Sequence, residues 1–144
     1  MFFLFLGVLG IGIRLNIDKK NLLLSTAGGV LSTTVFNLFN GFLPDPATVF
    51  VTSLAASLYS EIMARVRKTP TSIFFPSSII PILPGKAVYD TVNLALRQDT
   101  AGFLESSIST FYTTMAIALG IITIHTAQII FSKIVKNLFL SEKR

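Results

Sequence analysis

Lys86 and Asp90 are the first residues of this sequence whose types and spacing suggest chemistry. Four positions apart on a helix, an ammonium and a carboxylate share one face and can pair. Pro84 or Gly85, just before them, is suited to precede a helix start. The first N–H groups of such a helix are unpaired and, with the helix dipole, bind anions. The pattern predicts a site for a small-molecule carboxylate.

Other candidate groups are few. Glu61 and Arg65 form a second pair at the same spacing, and His125 is the only histidine, a residue that exchanges protons near neutral pH. Each has a structural alternative, an ion pair for the first two and a satisfied packing residue for the histidine. Cysteine is absent, and the sequence shows no nucleotide loop, metal-ligand spacing or nucleophile–base motif. We therefore predict neither an enzyme nor a cofactor or metal site.

The amino-acid composition indicates whether these groups lie in water or in a membrane. Of the 144 residues, 51% are hydrophobic and only 13% are charged, against about 25% charged residues in a soluble domain. The charges cluster between long apolar stretches, so the sequence predicts an integral membrane protein in contact with lipid. Basic residues lie at the ends of those stretches, where the positive-inside rule explains them, and no nucleic-acid partner is predicted.

Five membrane elements are predicted within a single transmembrane domain, residues 1–144. Their approximate ranges are 1–13, 21–42, 47–66, 70–98 and 102–136. The predicted fold class is all-α integral membrane, a five-helix bundle with a short or truncated first helix and a proline-broken fourth. A span needs about 20 residues, and the first element has only 13 before Arg14. The fifth, about 50 Å long at 1.5 Å per residue, is expected to tilt or to extend into the cytoplasm.

The fourth element contains most of the prolines, Pro70, Pro76, Pro81 and Pro84. A proline inside a helix removes one N–H donor and costs about 3 kcal/mol. Irregular backbone at membrane depth is tolerated where protein buries it or where it lines a watery cavity, and transporters build midplane sites from such broken helices. We expect a half-helix over 71–80, a break at 81–85 and a second helix from Lys86. As the alternative, the prolines only kink a packed helix, Lys86 extends to the membrane surface and Asp90 lies at the interface.

The positions of the basic residues predict the orientation of the chain. They form three clusters, Arg14, Lys19 and Lys20, then Arg65, Arg67 and Lys68, then Lys133, Lys136, Lys143 and Arg144. If five elements alternate, all three clusters fall on one side, which the positive-inside rule makes cytoplasmic. The N-terminus is then outside and the C-terminus in the cytoplasm, with Asp45 and Asp99 on the outer face.

Residues 59–90, YSEIMARVRKTPTSIFFPSSIIPILPGKAVYD, resemble the signature of the small, second-half subunit of the threonine/serine exporter family. The stretch MAIALGIITI at 115–124 resembles the last helix of that family, and GIRLNIDKKNLLLSTAGG at 12–29 resembles its first loop and second helix. The residues that match the proline core are Pro76, Pro81, Pro84, Gly85 and Tyr89, and those that match its approach are Glu61, Arg65 and Pro70.

The resemblance implies a ten-helix exporter in a bacterial inner or cell membrane. Its other five-helix half lies on a larger partner subunit with a hydrolase-like cytoplasmic region. Threonine and serine are the implied substrates, with dicarboxylates for related pairs, and the proton-motive force is the implied energy source. Two features depart from the family: the first helix is short by about half a span, and Lys86 stands where a small or apolar residue is expected.

The predicted function is therefore a subunit of a secondary transporter that exports small hydroxy amino acids together with a larger subunit. The alternatives are a subunit of a dicarboxylate exporter of the succinate type and a membrane scaffold that does not transport. The hydroxyl-rich start of the fifth element is expected to contact the polar part of the substrate. The predicted substrate-binding residues are Pro81, Pro84, Gly85, Lys86, Tyr89 and Asp90, and those for proton transfer or gating are Glu61, Arg65 and His125.

Overall fold

The computed structural model describes the backbone of residues 2–141 and the side chains of residues 5–134. Within that range the chain forms six α-helices and two single 3₁₀ turns, which confirms the all-α fold class. The helices are α1 Phe2–Arg14, α2 Lys19–Phe39, α3 Asp45–Arg67, α4 Phe75–Ile79, α5 Gly85–Leu96 and α6 Thr100–Ser141. The 3₁₀ turns are Thr71–Ile73 and Ile80–Ile82, on either side of α4.

Three helices of the described part are long and apolar enough to cross a membrane, namely Lys19–Phe39, Asp45–Arg67 and Thr100–Ile134. The first helix is a shorter apolar segment, and the fourth element is the interrupted run from Thr71 to Leu96. Helix α6 has 42 residues, about 63 Å at 1.5 Å per residue. Of the predicted C-terminal basic cluster, the side chains of Lys136, Lys143 and Arg144 lie outside the described residues.

Helices α2 and α3 pack as an antiparallel hairpin. Gly41, with φ of 98°, makes the turn between them, a conformation that a side chain would strain. Helix α3 then begins at Asp45, two residues before the predicted start, because Pro46 fits the first turn of a helix, where its missing N–H has no partner to lose. Tyr59 Oη donates a 2.6 Å hydrogen bond to Leu24 O across the hairpin.

Helix α6 runs parallel to α3 and antiparallel to α5. Gly120 of α6 lies against Ser53 and the carbonyl of Phe50, and a Cβ at this glycine would overlap Ser53 Oγ and lie 3.1 Å from Phe50 O. The turn from α5 ends at Asp99, whose carboxylate accepts a 3.1 Å hydrogen bond from the Gly102 N–H. Asp99 therefore caps the N-terminal end of α6.

The proline-broken segment, residues 70–84, differs from the predicted half-helix. A single α-helical turn lies between two 3₁₀ turns, instead of one helix over 71–80. Pro76 and Pro81 each occupy the first turn of a short helix, at N1 or N2. Because proline is accepted there and not in a helix interior, each proline ends one short helix and starts the next.

This broken segment lies against α2 and α3, and hydroxyl groups satisfy its backbone. Ser32 Oγ of α2 donates to Ser78 O at 2.6 Å. Ser25 Oγ of α2 lies 3.1 Å from Ile73 O and 2.8 Å from Ser77 Oγ. In hydrocarbon, where water cannot reach these carbonyls, serine side chains provide the donors that a regular helix would have provided.

The interior around the broken segment is rich in hydroxyl groups. Such small side chains let helix backbones approach closely, which is how helices pack where apolar contact with lipid is equally favourable. Phe74 is the largest side chain in the set with less than 2% exposure. The other members of that set are Thr26, Thr48, Thr52, Ser25, Ser32, Ser53, Ser57, Ser60, Ser77 and Ser78.

Two glycines allow α2 to approach α4. A Cβ at Gly29 would lie 2.7 Å from Ser77 O and 2.7 Å from Val8 Cγ1. The same atom at Gly28 would overlap Ser78 Oγ and Tyr59. Real Cβ atoms do not approach so closely, so the distance between α2 and α4 requires glycine at both positions.

We predict that Gly29→Ala and Gly10→Ala change stability in opposite directions. Both glycines are helical, so alanine by itself favours the helix by about 0.5–1 kcal/mol. At Gly10 a Cβ meets nothing within 4 Å and this gain remains. At Gly29 overpacking against a backbone carbonyl costs about 1–3 kcal/mol and reverses it. Thermal unfolding of the detergent-solubilised chain measures both, and equal shifts for the two variants would contradict the packing described here.

The structure also places two of the predicted basic clusters at one end of the bundle. Arg67 donates from Nε to Asn21 Oδ1 at 2.9 Å and from Nη2 to Lys20 O at 3.0 Å. The end of α3 therefore lies beside the start of α2, and Asp45 lies at the opposite end of α3.

Since the chain has no cysteine, single-cysteine variants test which end is cytoplasmic. We predict that Asp45→Cys reacts in intact cells with a membrane-impermeant maleimide, whereas Lys19→Cys reacts only after the cells are permeabilised. The physical reason is the bias of basic residues towards the cytoplasm. Labelling in the reverse pattern would invert the proposed orientation.

Candidate functional site

The residues predicted to bind substrate lie around the start of α5. Lys86 Nζ is 3.3 Å from Asp90 Oδ2, so the two side chains pair along the helix. The Lys86 and Asp90 side chains are 90% and 46% exposed, and Tyr89 is 67% exposed. A Cβ at Gly85 would meet nothing within 4 Å. These residues therefore form an open surface of this chain.

Helix α5 begins at Gly85, one residue before the predicted start. Pro84 precedes it, and the Gly85 N–H donates to Leu83 O at 2.8 Å. Among the described residues, the N–H groups of Lys86 and Ala87 have no backbone acceptor. Pro81 is half-buried in the second 3₁₀ turn, which ends before α5 begins.

Helix α5 packs against the hydroxyl-rich start of α6. Thr91 Oγ1 lies 2.6 Å from Ser106 Oγ and 3.4 Å from Thr110 Oγ1, so either partner can donate. A cavity of about 380 Å³ lies between these helices, and its lining includes Asp90 and Glu105. We call the contact between Thr91, Ser106 and Thr110 the hydroxyl seam. These hydroxyl groups and the carboxylate of Glu105 lie near Asp90 of the charged pair.

A second polar cluster joins α3 to α6. The Glu61 side chain is 8% exposed, and its Oε1 lies 3.5 Å from Nδ1 of His125. Gln128 Nε2 donates a hydrogen bond to Glu61 Oε2. The edge of the Phe75 ring of α4 faces the His125 ring, with centroids 6.5 Å apart. The cluster therefore adjoins the broken segment as well as α3 and α6.

Arg65 does not pair with Glu61 as the four-residue spacing predicted. Among the described side chains, the partners of Glu61 come from α6 instead. Arg65 lines a cavity of about 340 Å³ together with Glu61 and Gln128. Buried between two helices, Glu61 is directed towards α6, so the neighbouring helix provides its partners in place of its own.

Gln128 is the member of this cluster that the sequence analysis missed. It lies three residues after His125, so both point from one face of α6. That spacing is the only local signal for it. No group of three or more His, Cys, Asp or Glu side chains that would suit a metal ion occurs in the described part of the chain.

Comparison with known proteins identifies the family to which this chain belongs. A family model described as Threonine/Serine exporter, ThrE, matches residues 1–127, a range that includes the broken segment, α5 and most of the apolar part of α6. No curated protein and no solved structure matches the chain. The resemblance found in the proline core is thereby confirmed. This chain belongs to the threonine/serine exporter family and is a multi-pass membrane protein of amino-acid export.

Proposed function

We propose that this chain is one half of a secondary transporter and exports threonine and serine together with a larger membrane subunit. The observation that carries the proposal is the charged pair on α5. Within the described residues, Lys86 and Asp90 lie on a helix that packs extensively only against α6, and both are open to the surroundings of the chain. Ionisable groups facing lipid are costly, so a second subunit that covers them makes the arrangement stable.

A hydroxy amino acid has the groups that complement this site. Its carboxylate fits Lys86 and the free N–H groups at the start of α5, where the helix dipole also favours an anion. Its ammonium fits Asp90, which pairs with Lys86 while the site is empty. Its hydroxyl group fits the hydroxyl seam, and Tyr89 closes the site towards the partner. Pro81 and Pro84 hold the start of α5 in place.

The transport mechanism we propose is alternating access, with two states that expose the site to either side of the membrane. The extended residue Leu83 separates the buried α4 from the exposed α5, and we place the hinge of this movement there. In the proposed orientation, the N-terminus lies outside a bacterial cell membrane and the C-terminus in the cytoplasm.

The first test is efflux of labelled serine and threonine from preloaded cells. We predict efflux only when this chain is expressed with a larger family member, and loss of efflux for Gly85→Leu at an unchanged amount of complex. The chain has room for a side chain at Gly85, so the variant blocks the site without disturbing this subunit. Gly10→Leu, an equally open glycine on α1, is the matched control and retains efflux.

Other results of this experiment point to the alternatives. Loss of the complex with Gly85→Leu indicates that the glycine serves assembly, as in a scaffold. Efflux of labelled succinate in place of the amino acids indicates a dicarboxylate exporter, which would explain why a lysine follows Gly85.

The second test concerns Lys86. We predict that Lys86→Gln raises KM for serine efflux about tenfold, because a charge-assisted hydrogen bond to the carboxylate becomes a neutral one. Its melting temperature stays unchanged because the side chain is 90% exposed. Lys133→Gln, which removes another exposed lysine, is the control. An unchanged KM for Lys86→Gln would remove this residue from the site.

A further inference from the structure

Glu61 is the one buried carboxylate among the described side chains. It lies in the second half of α3, at a depth where an unpaired charge is costly. Nothing in the proposed contacts to the substrate uses it. Its neighbours are one group that exchanges protons, His125, and one neutral donor, Gln128.

The pair is accessible from one side of the α3–α6 contact. His125 is 49% exposed, so one side of the ring is accessible while Nδ1 faces Glu61 at 3.5 Å. The 340 Å³ cavity beside the cluster is open and is lined by Glu61 itself. A proton that reaches His125 or the cavity can therefore bind to the pair without unfolding the bundle.

The groups that face the pair come from α3, α4 and α6. On α3, Arg65 lines the same cavity and carries a fixed positive charge. On α4 the neighbour is Phe75, which has no titratable group. On α6, Gln128 can hold the carboxylate in its charged or its protonated form, because an amide both donates and accepts hydrogen bonds.

We propose that Glu61 and His125 form the proton-binding pair that couples proton movement to export. This deepens the proposed function and rests on it. The pair takes up one proton from water on one side of the membrane and releases it on the other. Uptake removes the negative charge of the buried carboxylate, and release restores it. Because α6 carries the hydroxyl seam on its early turns and His125 on a later turn, this helix links the α3–α6 contact to α5.

The test uses the full complex in lipid vesicles and compares two modes of serine transport. Glu61→Gln keeps the side-chain shape and the bond with Gln128 but cannot take up a proton. We predict that it loses the acceleration of serine efflux by an imposed pH gradient. It keeps exchange of labelled for unlabelled serine at equal pH, which needs no net proton movement. His125→Gln is expected to reduce the acceleration as well.

Asp45→Asn is the matched control, since it removes an exposed carboxylate from the same helix. It is expected to respond to the gradient as the unaltered chain does. If Glu61→Gln also responds fully, the proposal is overturned. Loss of both gradient-driven efflux and exchange would indicate a structural role for Glu61 and would likewise overturn it.

A second measurement does not depend on the substrate. Infrared difference spectra of the full chain between high and low pH are expected to show a protonated carboxyl band that Glu61→Gln removes and Asp45→Asn retains. If the complex transports neither serine nor threonine, the proposed function fails, and this band still decides whether Glu61 binds a proton. Absence of a Glu61-dependent band would overturn the proposed proton site even if transport is normal.

Discussion

In hydrocarbon, a backbone carbonyl that loses its helical partner must find another within the protein, and the rest of this structure depends on that constraint. The broken segment meets it through Ser25 and Ser32 of α2. Those hydroxyl groups reach the segment only because Gly28 and Gly29 let the two backbones approach. The prolines of one element thus explain the small residues of another. Packing and hydrogen bonding here are two aspects of one requirement.

Helix α6 connects the two polar regions of the molecule. Its early turns meet α5 along the hydroxyl seam, and its later turns carry His125 and Gln128 against Glu61 of α3. Within the described residues it packs extensively against both α3 and α5, whereas those two helices pack only weakly, if at all, against each other. The two regions are therefore joined by a single continuous helix. This arrangement suits a transporter in which binding at one place changes the other.

The two charged regions differ in how far the chain's own residues enclose them. Glu61 is enclosed by its own chain, and its partners, His125 and Gln128, come from α6. Lys86 and Asp90 are paired but open on the outer side of α5. The enclosed carboxylate belongs to the proposed proton site, and the open ion pair belongs to the proposed substrate site. Membership of the threonine/serine exporter family fits both, because an exporter needs an energy source and a substrate site.

The sequence by itself determined the membrane class, the interruption of the fourth element and the family. Each depends on local information, since the length of an apolar run, the position of a proline and a continuous motif are all properties of a single stretch of sequence. Only the tertiary structure decided that α4 shrinks to a single turn and which serines satisfy it. It also decided the partners of Glu61. Spacing along α3 predicted Arg65, but the packing of α6 beside α3 brought in His125 and Gln128, and sequence spacing within one helix contains no information about its neighbour.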